Sequence, residues 1–262
     1  MDIQPESQPV AAVPILRAWE DPELCAGFVG RLGGTSAGEF ATMNLSYWVG
    51  DHESAVDENW RRLREQVPAL KLVARLNQVH GNVVHAVTRE TAALRPAGDG
   101  MVTDEPGVML GIFSADCVPL LMVDAKRKIA GAFHCGWRGV IADVATVGVD
   151  AMRRLGARVG DLRAAIGPSI GPCCFEVDAT LAERFCREIP AATEYARAGR
   201  SGKAYLDLRA IVTSQLVRAG LAPEHVASVG PCTRCASAQF FSRRAAGGRT
   251  TGLQMSFVGF SD

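Results

Sequence analysis

The chain has 262 residues, with 28 basic and 28 acidic side chains in balance and hydrophobic residues making up 48%. That length can bury a substantial core, and a formal net charge of zero gives no electrostatic case for nucleic acid or an anionic membrane as partner. No apolar run reaches bilayer-spanning length, because residues 108–123 are interrupted by Ser114, Asp116 and Pro119. The opening MDIQPESQPVAAVPILRAWED lacks a basic start followed by an apolar stretch, so it does not read as a secretory signal, and a cytoplasmic location is expected. The eight cysteines are then expected as reduced thiols and not as a disulfide framework.

Residues 1–12 read as a flexible tail on one domain covering 1–262. An apolar strand is expected over 24–29, followed by a glycine-rich irregular loop over 30–38. Residues 51–67 place Val56, Trp60, Leu63 and Val67 at helical spacing. Residues 73–87 read as strand, tight turn at Gly81, strand. Loop character follows over 96–107, with Asp99-Gly100 as a turn signal, and then a buried strand over 108–115. A helix is expected over 139–155, a short strand over 163–166, and a glycine-proline loop over 167–172. Asp178 is a candidate cap for a helix over 179–189. A further helix over 207–219, a strand over 226–229 and a final apolar run, MSFVGF, complete the pattern. Strands in runs, hairpins among them and helices between suggest an α+β or mixed α/β architecture.

Residues 118–124 and 129–133 flank the polar turn Ala125-Lys126-Arg127-Lys128 and predict a hairpin. An even turn pairs residues whose numbers sum to 253, setting His134 opposite Pro119. Cys117, two residues before Pro119, then shares the face of His134 and lies within reach of one shared ion. His80 occupies a similar junction of apolar run and polar turn. Two imidazoles and a thiolate suit a borderline-soft metal such as zinc, and three protein ligands leave a position open for chemistry. Each residue alone also fits a bland role, a core histidine or a small buried thiol. Cys232-Thr-Arg-Cys235 is a lone C-x-x-C, for which packed thiols are favoured over a metal or redox role.

The ordered segments Gln78-Val-His80-Gly81, Ala115-Asp116-Cys117-x-Pro119, His134-x-Gly136-Trp137-Arg138-Gly139 and Gly167-Pro168-Ser169-Ile170-Gly171-Pro172 resemble the laccase-domain, or polyphenol oxidase-like, YfiH family. Met43-Asn44-Leu45-Ser46 and Phe240-Phe241-Ser242-Arg243-Arg244 extend the resemblance over about residues 27–260. It implies a layered α/β/β/α sandwich of mixed sheets and zinc bound by His80, Cys117 and His134. It also implies phosphorolysis of adenosine, inosine and 5′-methylthioadenosine together with deamination of adenosine. Some members are linked to peptidoglycan editing. Leu253 stands where the family commonly has arginine, with Arg249 a candidate substitute, and the Phe-Ser-Arg-Arg segment is one residue short. Cys135 replaces a small residue after His134 and is expected to pack, facing away from the metal.

Within this reading Cys117 and His134 are candidate catalytic groups, and Asp116 is a candidate proton carrier or a structural carboxylate. Arg31, Asn44, Gln78, Arg138 and Ser169 are candidate substrate contacts, with Arg31 on the glycine-rich loop and Arg138 beside His134. The H-x-E…P-C-x-x-C signature of known zinc deaminases is absent, so deamination here would be convergent. One rival is a thiol hydrolase or amidase using Cys117 and His134, with a peptidoglycan precursor as substrate. Another is a purine- or partner-binding protein with structural zinc. Copper oxidation is disfavoured, because five histidines without an H-x-H pair do not supply a copper cluster.

Overall fold

The computed structural model describes residues 12–262, so the expected tail lies almost wholly outside the described residues. The first strands are β1 (Ile15–Leu16), β2 (Leu24–Val29), β3 (Leu72–Ala74), β4 (Val84–Ala86) and β5 (Gly100–Thr103). Next come β6 (Val108–Ser114), β7 (Val118–Asp124), β8 (Ile129–Cys135) and β9 (Arg163–Ile166). The last are β10 (Glu176–Asp178), β11 (Ala196–Ala198), β12 (Lys203–Leu206), β13 (Val226–Ser228) and β14 (Gln254–Phe260). The α-helices are α1 (Glu53–Gln66), α2 (Trp137–Ile141), α3 (Val144–Arg154), α4 (Ala179–Glu188) and α5 (Leu208–Arg218).

Two mixed sheets stack face to face. One runs β1-β2-β14-β6-β3, the other β13-β9-β7-β8-β5-β4. Alternation along each strand sorts its side chains between layers. From β7, Leu121 and Val123 meet Leu110 of β6 and Val258 of β14 between the sheets. Leu120 and Met122 point the other way, into a core with Val149 and Met152 of α3 and Ile211 of α5. On the opposite flank, Val56, Trp60 and Leu63 of α1 cover Met109 and Phe113 of β6 and Phe257 of β14. The order is therefore α/β/β/α, and both sheets are covered on both faces. That is why β6, β7 and β8 are buried at every residue and read as continuous apolar runs. A small third sheet, β10-β12-β11, packs beside α4.

Four expectations need correction. The segment over 73–87 is not a hairpin: β3 pairs with β6 in one sheet and β4 with β5 in the other, and residues 75–83 cross between them. The helix expected over 139–155 is two helices, broken where Asp143 takes φ 58° and bonds Thr146 and Arg218 through its carboxylate. Asp178 precedes α4 but makes no cap bond, because its carboxylate accepts from Lys203 Nζ. β5, hidden in a stretch that reads as loop, is a central strand pairing with both β4 and β8.

Candidate functional site

The β7–β8 hairpin has the expected register: Pro119 faces His134 and Val118 faces Cys135. Cys117 sits just before β7, beyond Asp116, whose φ of 102° turns the chain into the strand. His80 comes from the crossing over 75–83 and has φ 60°, a left-handed conformation held in place by hydrogen bonds to Asp99. The ligand atoms of His80, Cys117 and His134 all lie within 4.8 Å of one another. Cys117 Sγ is 4.0 Å from His80 Nε2, and the two imidazole rings meet edge to face at 4.8 Å. Metal bonds of about 2.0–2.3 Å reach a common centre from such positions with small side-chain rotations.

The buried carboxylate of Asp99 organises this centre. It accepts from the backbone amides of Val79 (3.2 Å), His80 (2.9 Å) and Gly81 (2.6 Å), and from His134 Nδ1 at 2.8 Å. A carboxylate only accepts, so His134 carries its hydrogen on Nδ1 and presents Nε2 to an ion. Burial pushes Asp99 upward, but the bonds from His134 and the Gly81 and His80 amides outweigh it and hold the carboxyl below its ordinary value. Sequence reading missed Asp99 by taking it as half of an Asp-Gly turn. Its carboxylate acquires a function only because β5 lies next to β8.

Burial raises the Cys117 thiol, yet the imidazoles of His134 and His80 overcome this and bring it down to about 6. Burial likewise lowers His134, but the Cys117 sulfur and the Asp99 carboxylate bring it up to about 9. The opposed shifts favour a thiolate–imidazolium pair over two neutral groups. Cys135, one residue further, packs among the helix-side core with its thiol pushed up by burial, as expected of a non-ligand.

A cavity of about 510 Å³ opens beside His80, Cys117 and His134. Its other walls include Trp48, Gln78, Arg95, Ser114 and Arg243. Arg95 stacks on Trp48 with its guanidinium carbon 3.4 Å from the ring centroid. Arg95 Nε and Ser114 Oγ are buried with no hydrogen-bond partner among the described residues, a condition that a polar ligand in the cavity would relieve.

Of the five candidate substrate contacts, the cavity takes in Gln78 alone. Gln78 also brackets Phe113 by exchanging hydrogen bonds with its backbone N–H and C=O. Arg31 donates from Nε to the carbonyl of Ala41 and from Nη1 to that of Ser237, outside the cavity lining. Asn44 is fully buried and bonded to Ser46, Asp51 and Leu253. Arg138 lies exposed over Trp137, and Ser169 is buried between Gly167 and Arg209. Asp116 is turned from the large cavity: Thr233 Oγ1 donates to one oxygen at 2.6 Å and the Arg244 amide to the other at 2.7 Å. These bonds tie Asp116 to the 229–253 stretch, and with Cys117 it lines a smaller second cavity. Arg249 is exposed and bonded to Ala246, so it does not replace a cation at Leu253; Arg95 and Arg243 are the arginines on the cavity wall.

These features can be set beside known proteins. A family profile described as "Multi-copper polyphenol oxidoreductase laccase" matches residues 25–261. The chain is 36% identical over 246 residues to "Purine nucleoside phosphorylase YlmD" of Geobacillus stearothermophilus, covering 89% of each. It is 38% identical over 172 residues to "Adenosine deaminase RL5" of an unknown prokaryotic organism, covering 64% of this chain and 65% of that one. The crystal structure of YlmD from G. stearothermophilus superposes with a TM-score of 0.86 at 35% identity, covering 92% of this chain and 93% of its own. The hairpin register, the histidine–cysteine cluster and this likeness agree: the chain belongs to the multi-copper polyphenol oxidoreductase laccase family, the YfiH-like group.

Proposed function

We propose that this chain is a zinc-dependent purine nucleoside enzyme that phosphorolyses adenosine, inosine and 5′-methylthioadenosine and deaminates adenosine. The observation that carries the reading is one cavity of about 510 Å³ with His80, Cys117 and His134 on one wall and Arg95 and Arg243 on others. That volume lies in the range of sites for small organic ligands, about 300–1,000 Å³. The names of the relatives, a purine nucleoside phosphorylase and an adenosine deaminase, support the same substrate class.

The donor set suits zinc, with His80, Cys117 and His134 as ligands. When bound, the ion supplies a Lewis acid with an open position. Asp99 keeps the proton on His134 Nδ1 and so directs the other ring nitrogen. Trp48, Phe113 and Leu76 offer apolar surface to a purine, while Arg95 and Arg243 bring positive charge for phosphate. In phosphorolysis a phosphate oxygen bonds to C1′ as the C1′–N9 bond breaks. In deamination water supplies the oxygen at C6 and ammonia departs. A histidine-cysteine set also suits copper, so the metal is part of the test.

Metal analysis of the purified protein is expected to find zinc. Incubation with adenosine and phosphate is expected to yield adenine, ribose 1-phosphate and inosine. If none of these rises above a Cys117→Ser control, the activity is refuted.

The Cys117–His134 ion pair favours a second reading, a thiol hydrolase or amidase acting on a peptidoglycan precursor. Activity that survives a strong chelator yet is lost to iodoacetamide would select it.

A further inference from the structure

Between Ser228 and Gln254 the chain forms no helix or strand, and an irregular stretch of this length in a compact fold calls for an anchor. Cys232 and Cys235 stand at its start. The fold brings them to Cys173 and Cys174, which follow the glycine-proline loop after β9. All four Sγ atoms lie within 4.8 Å of one another. Cys235 Sγ is 3.6 Å from that of Cys173 and 3.5 Å from that of Cys174. None of the four is in a disulfide, whose sulfurs sit about 2.05 Å apart. A tetrahedral ion with metal–sulfur bonds of about 2.3 Å holds its sulfurs about 3.8 Å apart, close to these separations.

The surroundings also favour a thiolate at Cys232. The Gly171 amide donates to Cys232 Sγ at 3.2 Å. Arg209 fixes a positive charge there while binding the carbonyls of Ser169, Gly230 and Pro231, one residue from Cys232. Four soft donors with no position left over match a structural site, whereas a catalytic ion keeps one open.

We propose that Cys173, Cys174, Cys232 and Cys235 hold a second zinc ion in a closed tetrathiolate site that clamps the start of the 229–253 stretch to the loop after β9. The clamp bears on the larger site. Thr233, inside the C-x-x-C turn, bonds Asp116, as does the amide of Arg244, while Arg243 borders the cavity. The second ion thus steadies the stretch that brings Arg243 to the cavity.

The test is metal stoichiometry of full-length protein purified under reducing conditions from zinc-replete cells. The clamp predicts one zinc per chain in Cys117→Ser that is absent from a Cys117→Ser/Cys232→Ser/Cys235→Ser variant. Failure of the histidine site removes only the ion that Cys117 binds, so the two sites are scored separately. Should the triple variant fail to fold, alkylation of the wild-type chain followed by site-resolved mass spectrometry decides. Cys173, Cys174, Cys232 and Cys235 are expected to resist modification until a chelator removes stoichiometric zinc, then to react together. Free reaction of these four before chelation, a disulfide among them in the reduced preparation, iron in place of zinc, or no metal in Cys117→Ser would each overturn the proposal.

Discussion

At His134 the Asp99 carboxylate decides which ring nitrogen carries hydrogen, and three backbone amides keep that carboxylate ionised and in place. Asp99→Asn retains the shape but replaces an anionic acceptor with a neutral amide. Loss of this kind of outer partner weakens metal binding by about 10–100-fold, and chelator competition on the purified variant reads that change. The neighbouring thiol gives a pH signature. Cys117 falls from an ordinary 9.0 to about 6 because two imidazoles favour its anion. In metal-free protein its alkylation rate, followed at this residue by mass spectrometry, should rise through about pH 6 and level off above. His134→Gln removes the cation and should move the midpoint upward. An unchanged midpoint in that variant would show that His134 does not set the thiol. Cys117 and His134 were legible as a pair because both lie on one hairpin, whereas Asp99, eighteen residues from the nearer of them in no obvious pattern, was not.

The elements place these groups by backbone geometry. The turn over 125–128 is even, so β7 and β8 pair with Pro119 opposite His134, and the strand period of two settles which side chains share a face. Immediately after β8 the chain must turn inside the ligand cluster. A Cβ on Gly136 would lie 2.7 Å from His80 Cδ2 and 3.4 Å from Cys117 Sγ. Gly136→Ala should therefore push His80 out and abolish metal retention, while far-ultraviolet circular dichroism and the cooperative melt remain close to wild type. Retained zinc at wild-type affinity would show that the cluster can yield. The crossing that carries His80 was misread as a tight hairpin because β3 and β4 are short apolar runs on either side of Gly81. Only their partners, in two different sheets, reveal the crossing. The break between α2 and α3 was likewise invisible, since Asp143 lies within an otherwise helical pattern and its left-handed backbone is held by contacts with Thr146 and Arg218.

Across the whole molecule, two sheets share an apolar interior while helices close both outer faces. Phe133 on β8 is central to the helix-side core: Cβ atoms added at Gly100, Gly131 and Gly148 would each meet its ring within 2.7 Å. Such a ring, matched to three glycines from separate places in the chain, fills space that nothing else can occupy. Phe133→Ala should cost about 3–5 kcal/mol, measured by denaturant unfolding of wild type and variant. A loss below about 1 kcal/mol would mean that the surrounding helices collapse into the space. By itself the sequence determined the long buried strands, the helix that carries Trp60, the hairpin and the three metal-ligand candidates, because these follow from local periodicity and short turns. It also carried a family likeness strong enough to imply the four-layer sandwich. Tertiary structure alone decided which polar side chains face the cavity. Arg31 bonds the carbonyls of Ala41 and Ser237, Asn44 bonds Ser46, Asp51 and the Leu253 amide, and the Ser169 hydroxyl bonds the Gly167 carbonyl and the Arg209 side chain, while Arg95 and Arg243 remain on the cavity wall. The same holds for the four clustered cysteines, which stand more than fifty residues apart as two pairs. Hydrogen-bond capacity and metal-binding geometry are satisfied in space, and sequence order records neither until the chain has folded.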